Sequence, residues 1–176
     1  MALRMDQRPS APQRVQAALS AAGVAARIEE FPSSTRTAQE AADAVGTSVG
    51  QIVKSLMFLA GGAPVLALVS GANRLDTDRL AVLTGAPIGK ADADAVRQAT
   101  GYAIGGVPPT GFPAPIPTFI DRDLLQYAIV WAAAGTPRHV FPIAPGDLVR
   151  ITGGRVVELK APTLPSPGGG GELTQG

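Results

Sequence analysis

One lysine of this sequence stands where a cation could do chemistry. Lys54 opens the apolar run KSLMFLA and follows Ile52 and Val53. An ammonium group there could bind an anion through its three N–H donors. It could equally be the charged residue that keeps an edge strand from pairing with another molecule. The sequence pattern leaves both interpretations open.

A second candidate is the segment from Thr100 to Pro117, which holds four glycines and five prolines in eighteen residues. Glycine permits unusual backbone angles and close approach, and proline stiffens the chain between the glycines. The segment therefore predicts a preformed bend whose backbone N–H groups could polarise a carbonyl or hold an anion. A rigid surface turn without a ligand is the alternative. The Lys-Ser/Thr ending of a phosphate-binding P-loop is absent.

Two further side chains could take part. Asp121 follows Thr118, Phe119 and Ile120 at the end of a strand candidate, where it could cap the next segment or face a cleft. His139 is the only histidine, so it does not predict a metal site, and it is either a packed residue or an acid/base group. No G-x-S-x-G context surrounds a serine, which argues against a serine hydrolase.

Composition excludes several classes of protein. The chain has 176 residues, no cysteine and a formal net charge of +1. It therefore lacks disulfides and a cysteine nucleophile, and it is not a strongly basic nucleic-acid binder, although contact with one end of a nucleic acid remains open. Neither a secretory signal nor a run of about 18 apolar residues is present, so we expect a cytoplasmic protein without a membrane span.

Patterning predicts helices and strands in an irregular order. The predicted helices are Gln13–Gly23, one from Thr37 to Gly46 opened by the capping box TAQE, Val49–Ile52, Asp76–Thr84, Asp92–Thr100 and a turn at Pro145–Arg150. The strand candidates are Ala26–Phe31, Lys54–Ala60, Pro64–Ser70, Pro87–Lys90, Tyr102–Ile104, Thr118–Asp121, Ile129–Ala133, His139–Ile143 and Val156–Glu158.

This interleaving favours a single α+β domain with a mixed, curved sheet over a doubly wound parallel sheet. We expect the domain to cover residues 12–161. The ends, residues 1–11 and 162–176, are polar or rich in glycine and proline, and we expect them to be flexible tails.

Six segments together resemble a known family. They are, in order, TAQEAADAVG, QIVKSLMF, SGANRLD, TGYAIGGVPPTG, PTFID and AAAGTPRHVFPIAPGDLVRIT. This ordered set is similar to the YbaK-like prolyl-tRNA-editing domains, which are relatives of the editing insertion of bacterial prolyl-tRNA synthetases. The resemblance covers about Val15 to Lys160, and it implies a mixed, curved and partly barrel-like sheet flanked by helices.

The resemblance also implies an activity and a site. The activity is hydrolysis of the ester between a wrong amino acid and the 3′ adenosine of a tRNA, without metal or cofactor. Lys54 would engage the terminal phosphate region, and the loop with Gly105 and Gly106 would hold the aminoacyl carbonyl through backbone N–H groups. The partners implied are the tRNA acceptor end and an aminoacyl-tRNA synthetase. The substrate-binding candidates are Phe31, Ser70, Asn73, Pro109, Gly111, Asp121, Gly135, Thr136 and His139.

Some positions depart from the family members that handle Cys-tRNA. Those members carry a G-K-R-G-x-D-like stretch, whereas residues 135–140 lack the aspartate. Pro108 stands where serine is common, and Ser70 and Asn73 also differ. We therefore expect tRNA-Pro carrying a small amino acid, either Ala, Cys, Ser or Thr. The alternatives are a non-catalytic module that binds the aminoacyl-tRNA 3′ end or a synthetase, and a hydrolase of another small acyl ester.

Overall fold

The computed structural model describes residues 8–162. The predicted tails fall mostly outside this range. The described residues form five α-helices: α1 (Ala11–Ala21), α2 (Ala38–Val45), α3 (Thr77–Thr84), α4 (Ala93–Thr100) and α5 (Pro145–Thr152). They form eight strands: β1 (Glu29–Glu30), β2 (Val53–Ala60), β3 (Ala63–Ser70), β4 (Ile88–Lys90), β5 (Thr118–Asp121), β6 (Val130–Ala133), β7 (His139–Ile143) and β8 (Arg155–Val157). Two 3-10 turns cover Val49–Gln51 and Arg122–Gln126.

Local capping signals set most helix starts. The predicted capping box is present at α2, where the Thr37 side chain accepts the Glu40 N–H and the Glu40 carboxylate accepts the Thr37 N–H. Asp76 and Asp92, the first residues of two predicted helices, are the N-caps of α3 and α4. Ser10 caps α1, so that helix begins at Ala11 and ahead of the predicted start at Gln13. A short polar side chain at each N-cap satisfies backbone donors that the helix itself leaves unpaired.

The capping box of α2 can be tested by its effect on stability. Thr37→Ala is expected to cost about 1 kcal/mol of unfolding free energy through the loss of its bond to the Glu40 N–H. For a chain of this size that corresponds to a fall in Tm of about 2–4 °C. Thr77→Ala, at an exposed first-turn position of α3, is the matched control and should leave Tm unchanged. Equal shifts in the two variants would contradict the capping role.

The strands form two sheets. The five-stranded sheet has the order β4-β2-β3-β5-β8, with antiparallel pairs β4-β2 and β2-β3 and parallel pairs β3-β5 and β5-β8. The antiparallel three-stranded sheet has the order β1-β7-β6. A mixed sheet in a single α+β domain is therefore confirmed. The expectation of a partly barrel-like sheet is not, because within residues 8–162 only the bridge between Ile52 and Trp131 joins the two sheets and no barrel closes.

The β2-β3 hairpin places Lys54 at its open end. Gly61 and Gly62 form the turn with φ of +58° and +88°, positive angles that glycine adopts without strain in a tight hairpin turn. Pairing then runs without a break from Ala60 opposite Ala63 to Val53 opposite Ser70. Because of this register, the start of β2, which carries Lys54, lies next to the turn that follows Ser70.

The segment after α4 differs from the prediction. Tyr102–Ile104 was predicted to be a strand, and that is wrong, because the chain folds back on itself there. Gly101 ends α4 in the left-handed region, the Tyr102 N–H donates to the Thr100 hydroxyl, and the Gly106 N–H donates to the Ala103 carbonyl. The turn predicted at Pro145–Arg150 is a full helix, α5, that continues to Thr152.

The main core lies between the five-stranded sheet and α1, α4 and α5. Its fully buried members include Leu19, Leu66, Leu68, Ile120 and Phe141. A second cluster packs Val65, Val69 and Leu80 on the other face of the sheet. The sheet is thus covered on both faces.

Candidate functional site

One cavity brings the two main sequence candidates together. It has a volume of about 150 Å³ and lies between the start of α2, the start of β2 and the strands β6 and β7. Lys54 and Gly105 both line it, although they are far apart in the sequence. A cation and a glycine bend therefore face the same space, as the sequence interpretation requires.

The wall combines apolar side chains with hydroxyl groups and basic groups. The apolar lining includes Ile52, Trp131, Ala133 and Val140, and the polar lining includes Thr35, Arg36, Thr37, Lys54, Thr136 and His139. No carboxylate is among the described residues that line it. The cavity thus suits a group that carries negative charge next to a small apolar group.

Burial and charge act in opposite directions on Lys54. Burial lowers the pKa of Lys54 from its usual value because a desolvated ammonium is disfavoured, while the Asp121 carboxylate opposes that shift. No acidic side chain of residues 8–162 forms an ion pair with Lys54 within 4.0 Å. The ammonium is consequently available to an anion that enters the cavity.

A buried polar network lies behind Lys54. The Lys54 Nζ donates to the Asn73 backbone carbonyl. The Asn73 side-chain amide donates to the carboxylates of Asp121 and Asp123, at 2.8 Å each. Asp121, which is 0% exposed, also accepts the Ser70 N–H at 3.0 Å and the Asp123 N–H at 2.9 Å. The last contact confirms that Asp121 caps the segment after it, and the network places Ser70, Asn73 and Asp121 behind the cavity wall.

The glycine bend divides into an exposed and a buried half. Gly105 is exposed, lines the cavity and has φ of +89°, a left-handed angle that glycine adopts without strain. Gly106 is buried. Its N–H donates to the Ala103 carbonyl at 3.0 Å, and its carbonyl accepts the Gly135 N–H at 2.9 Å. Gly106 therefore joins the bend to the loop after β6, while Gly105 faces the cavity.

That loop and the first residue of β7 contain three of the predicted residues, Gly135, Thr136 and His139. The Thr136 hydroxyl and the His139 Nδ1 are 2.6 Å apart, and the Arg138 N–H donates to the same hydroxyl at 3.0 Å. The His139 Nε2 lies 3.8 Å from the Glu30 carboxylate. Gly135 packs against Ala11, where a Cβ would come within 2.8 Å of the backbone. Thr136 and His139 line the cavity, whereas Gly135 holds the loop against α1.

Three predicted residues lie elsewhere. Pro109 and Gly111 line a separate hollow with Phe112, Ile116 and Ile151, so the structure does not bring them to Lys54. Phe31 is buried in the apolar cluster below the cavity, and its carbonyl accepts the Arg138 guanidinium. These placements separate Pro109 and Gly111 from the bend at Gly105 and Gly106 that precedes them in the sequence.

Two further residues, Arg36 and Trp131, line the cavity, and the sequence analysis did not identify either as a site residue. Arg36 directly precedes the capping box, and that position at the start of α2 is the signal that could have identified it. Trp131 follows a run of apolar residues, so periodicity gives no sign that one of its faces is exposed.

The described residues give no metal site and no membrane span. Within residues 8–162, no group of three or more His, Cys, Asp or Glu side chains is placed to hold a metal ion. None of the helices in that range has both the length and the apolar character needed to cross a bilayer.

Comparison with known proteins identifies the family. Residues 32–151, more than half of the chain, match the model of the aminoacyl-tRNA editing domain. The chain belongs to this family. The match confirms the resemblance to the YbaK-like editing domains and places the chain among the proteins of translation fidelity. The fold also matches a crystal structure of a candidate trans-editing enzyme for prolyl tRNA synthetase, with a TM-score of 0.83 and 48% identity over 92% of this chain and 100% of that one.

Two sequence relatives extend the comparison. An uncharacterised protein of Bacillus subtilis, YwhH, is 28% identical over 73% of this chain and 83% of its own length. A proline–tRNA ligase of Nitratidesulfovibrio vulgaris is 34% identical over 57% of this chain. That match spans only 18% of the ligase, so it concerns one part of a much larger protein.

Proposed function

We propose that this protein is a hydrolase that acts in trans and removes the amino acid from a mischarged aminoacyl-tRNA. The observation that carries the proposal is that the Lys54 ammonium and the Gly105 bend line one cavity with no carboxylate among its described lining residues. A tRNA 3′ end offers a phosphate for the cation and an ester carbonyl for the bend. Membership of the editing-domain family supports the same reaction.

The chemistry rests on positioning and polarisation. Lys54 binds the terminal phosphate region, and the Gly105 N–H polarises the ester carbonyl. Water attacks the carbonyl carbon, and the tetrahedral intermediate expels the ribose oxygen, which takes a proton to become the free hydroxyl. A hydroxyl or side-chain group of the substrate orients the water, which is consistent with a cavity without a carboxylate. One such backbone donor is typically worth about 2.7–4 kcal/mol of activation free energy.

In this assignment Gly106 has a supporting role. Its N–H already donates to the Ala103 carbonyl and its carbonyl already accepts the Gly135 N–H. Gly106 therefore fixes the bend that presents Gly105. The cavity walls are supported from behind by Ser70, Asn73, Asp121, Phe31 and Gly135. Pro109 and Gly111 line the separate hollow and do not reach the substrate.

The cavity suits a small aminoacyl side chain. A volume of about 150 Å³ accommodates a group about as large as benzene. We propose Ala, Cys, Ser or Thr as the amino acid and tRNA-Pro as the carrier, in line with the trans-editing description of the related crystal structure. Such a protein would act alongside prolyl-tRNA synthetase, in the compartment where tRNA is charged, which we take to be the cytoplasm.

A deacylation assay tests the proposal. Purified full-length protein should release amino acid from at least one member of a panel of tRNA-Pro carrying Ala, Cys, Ser or Thr, and should leave Pro-tRNA-Pro intact. The Lys54→Ala variant is the control for contaminating esterases. A panel that stays fully acylated at micromolar protein would overturn the proposal.

A non-catalytic module that binds the aminoacyl-tRNA 3′ end is the second candidate. It is favoured by the position of His139, because each of its ring nitrogens already faces a protein group, Thr136 or Glu30, and the cavity then has no free general base. Retention of acylated tRNA without turnover, or copurification with a synthetase without turnover, would support this function over hydrolysis.

The same contacts predict a minor catalytic role for His139. We expect His139→Ala to reduce kcat/KM less than about 10-fold and to retain any inflection near pH 6–7, since an acid/base group contributes about 10²–10⁴-fold. A pH–rate profile of both proteins makes the comparison. Disappearance of a wild-type inflection in the variant would assign it to His139 and contradict this prediction.

A further inference from the structure

The polar network behind Lys54 has features that packing alone does not require. Asp121 is fully buried and its carboxylate accepts three hydrogen bonds, from the Ser70 N–H, the Asn73 amide and the Asp123 N–H. Burial of a carboxylate is costly unless its charge is compensated by donors or by a cation. Here all three donors are neutral groups. The nearby cation is Lys54, which does not contact Asp121 directly but is hydrogen-bonded to Asn73, the residue between them.

Asn73 connects the two charges. Its backbone carbonyl accepts the Lys54 Nζ, and its side-chain amide donates to Asp121. The turn that contains Asn73 is fixed at its other end, since the Asn73 N–H donates to the Ser70 carbonyl and the Ser70 hydroxyl donates to the Gly50 carbonyl. The carbonyl that receives the lysine is thus held in place from both sides.

We propose that Asp121, through Asn73, is a positioning residue that holds the Lys54 ammonium at the cavity wall. One of the three N–H donors of Lys54 is used by Asn73, and the other two are left for an anion in the cavity. The proposal deepens the proposed function, because the catalytic consequence depends on Lys54 binding substrate, but the effect on Lys54 itself does not.

Charge and position act through separable contacts. The charged and titratable groups around Lys54 are Asp121 on β5, Asp123 in the turn after it, Arg36 before α2 and His139 on β7. Asp121 raises the pKa of Lys54, against the larger lowering by burial. Removal of the Asp121 charge should therefore lower the pKa of Lys54 further. Removal of the Asn73 side-chain amide should keep the Asp121 charge but free the turn that contains Asn73 from its bond to Asp121.

Two variants of the full chain separate these effects. Asp121→Asn keeps an oxygen that can accept from Ser70 and Asn73 while it removes the charge. We expect the pKa of Lys54 to fall, because the charge that opposes the effect of burial is gone, and the alkaline limb of kcat/KM to move to lower pH with it. Asn73→Ala keeps Asp121 and should lower kcat/KM by about 10-fold across the pH range, with a smaller change in the pKa of Lys54.

The titration is measured directly by NMR of protein labelled with [13C]lysine. The chain has only three lysines, Lys54, Lys90 and Lys160, so a Lys54→Arg sample assigns the signal. Asp123→Asn is the matched control, because Asp123 accepts from the same Asn73 amide at the same 2.8 Å but is partly exposed. Its effect on the pKa of Lys54 should be smaller than that of Asp121→Asn, because Asp121 is the carboxylate that raises this pKa.

The outcomes distinguish this inference from the proposed function. An unchanged Lys54 titration in folded Asp121→Asn, even with a lower Tm, would overturn the inference and leave a purely structural network. If Asp121→Asn does not fold, a wild-type kcat/KM in Asn73→Ala would overturn the inference. If no substrate is hydrolysed, an unmoved Lys54 13C signal in Asn73→Ala would overturn it. A shifted Lys54 titration in a protein that hydrolyses none of the tRNA panel would uphold the positioning role and overturn the proposed function alone.

Discussion

Lys54→Met is expected to abolish most deacylation without loss of stability. Removal of the ammonium takes away the group that binds the phosphate, and we expect kcat/KM to fall by about 10²–10³-fold, as for removal of one strong donor from a polarising site. Methionine matches the length of the aliphatic part of the lysine side chain and packs adaptably. Since burial lowers the pKa of Lys54, its charged form is disfavoured in the folded state, and a neutral side chain relieves that cost.

Stability and activity should therefore separate in this variant. Thermal unfolding is expected to give a Tm equal to or above that of the wild type, in accordance with the usual opposition between stability and function at active sites. Lys90→Met is the control, because Lys90 is exposed on β4, opposite Phe58, and does not line the cavity. A parallel fall in Tm and activity would show instead that Lys54 is a structural residue of the hairpin.

Gly106→Ala is the second substitution with a large expected effect. A Cβ at this position would lie 2.6 Å from the Gly135 carbonyl oxygen and 2.6 Å from the Thr136 Cα, both of which are backbone atoms. The bend and the loop after β6 must then move apart, which breaks the bond from the Gly135 N–H to the Gly106 carbonyl. We expect a loss of about 1–3 kcal/mol of unfolding free energy, typical of overpacking.

The displacement should also reduce activity, because Gly105 lies in the same bend and Thr136 lines the same cavity. A displacement of about 1 Å at a reacting centre can cost about 100-fold, and we expect a fall in kcat/KM of that size. Gly146→Ala is the matched control, since no atom lies within 4 Å of its Cβ position. Wild-type activity in folded Gly106→Ala would contradict the role given to the bend.

Much of the local structure follows from residues close together in the sequence. The capping box of Thr37 and Glu40 joins residues three positions apart, and Asp76 and Asp92 cap their helices over similar distances. The Gly61-Gly62 turn likewise determines the pairing of the strands on either side. Such contacts join residues that are close together in the sequence. For that reason the α+β class, most helix starts and the two strands of the hairpin could be predicted.

The site was predictable only in part. The sequence by itself identified Lys54 and the glycine bend as the chemically unusual features, because a lone charge in an apolar run and a cluster of glycine and proline stand out by residue type. Only the tertiary structure decided that Gly105 faces the cavity and Gly106 supports it, and that Pro109 and Gly111 lie elsewhere. Contacts such as Asn73 with Asp121, 48 positions apart, are set by which strands pair, and residue type carries no information about that.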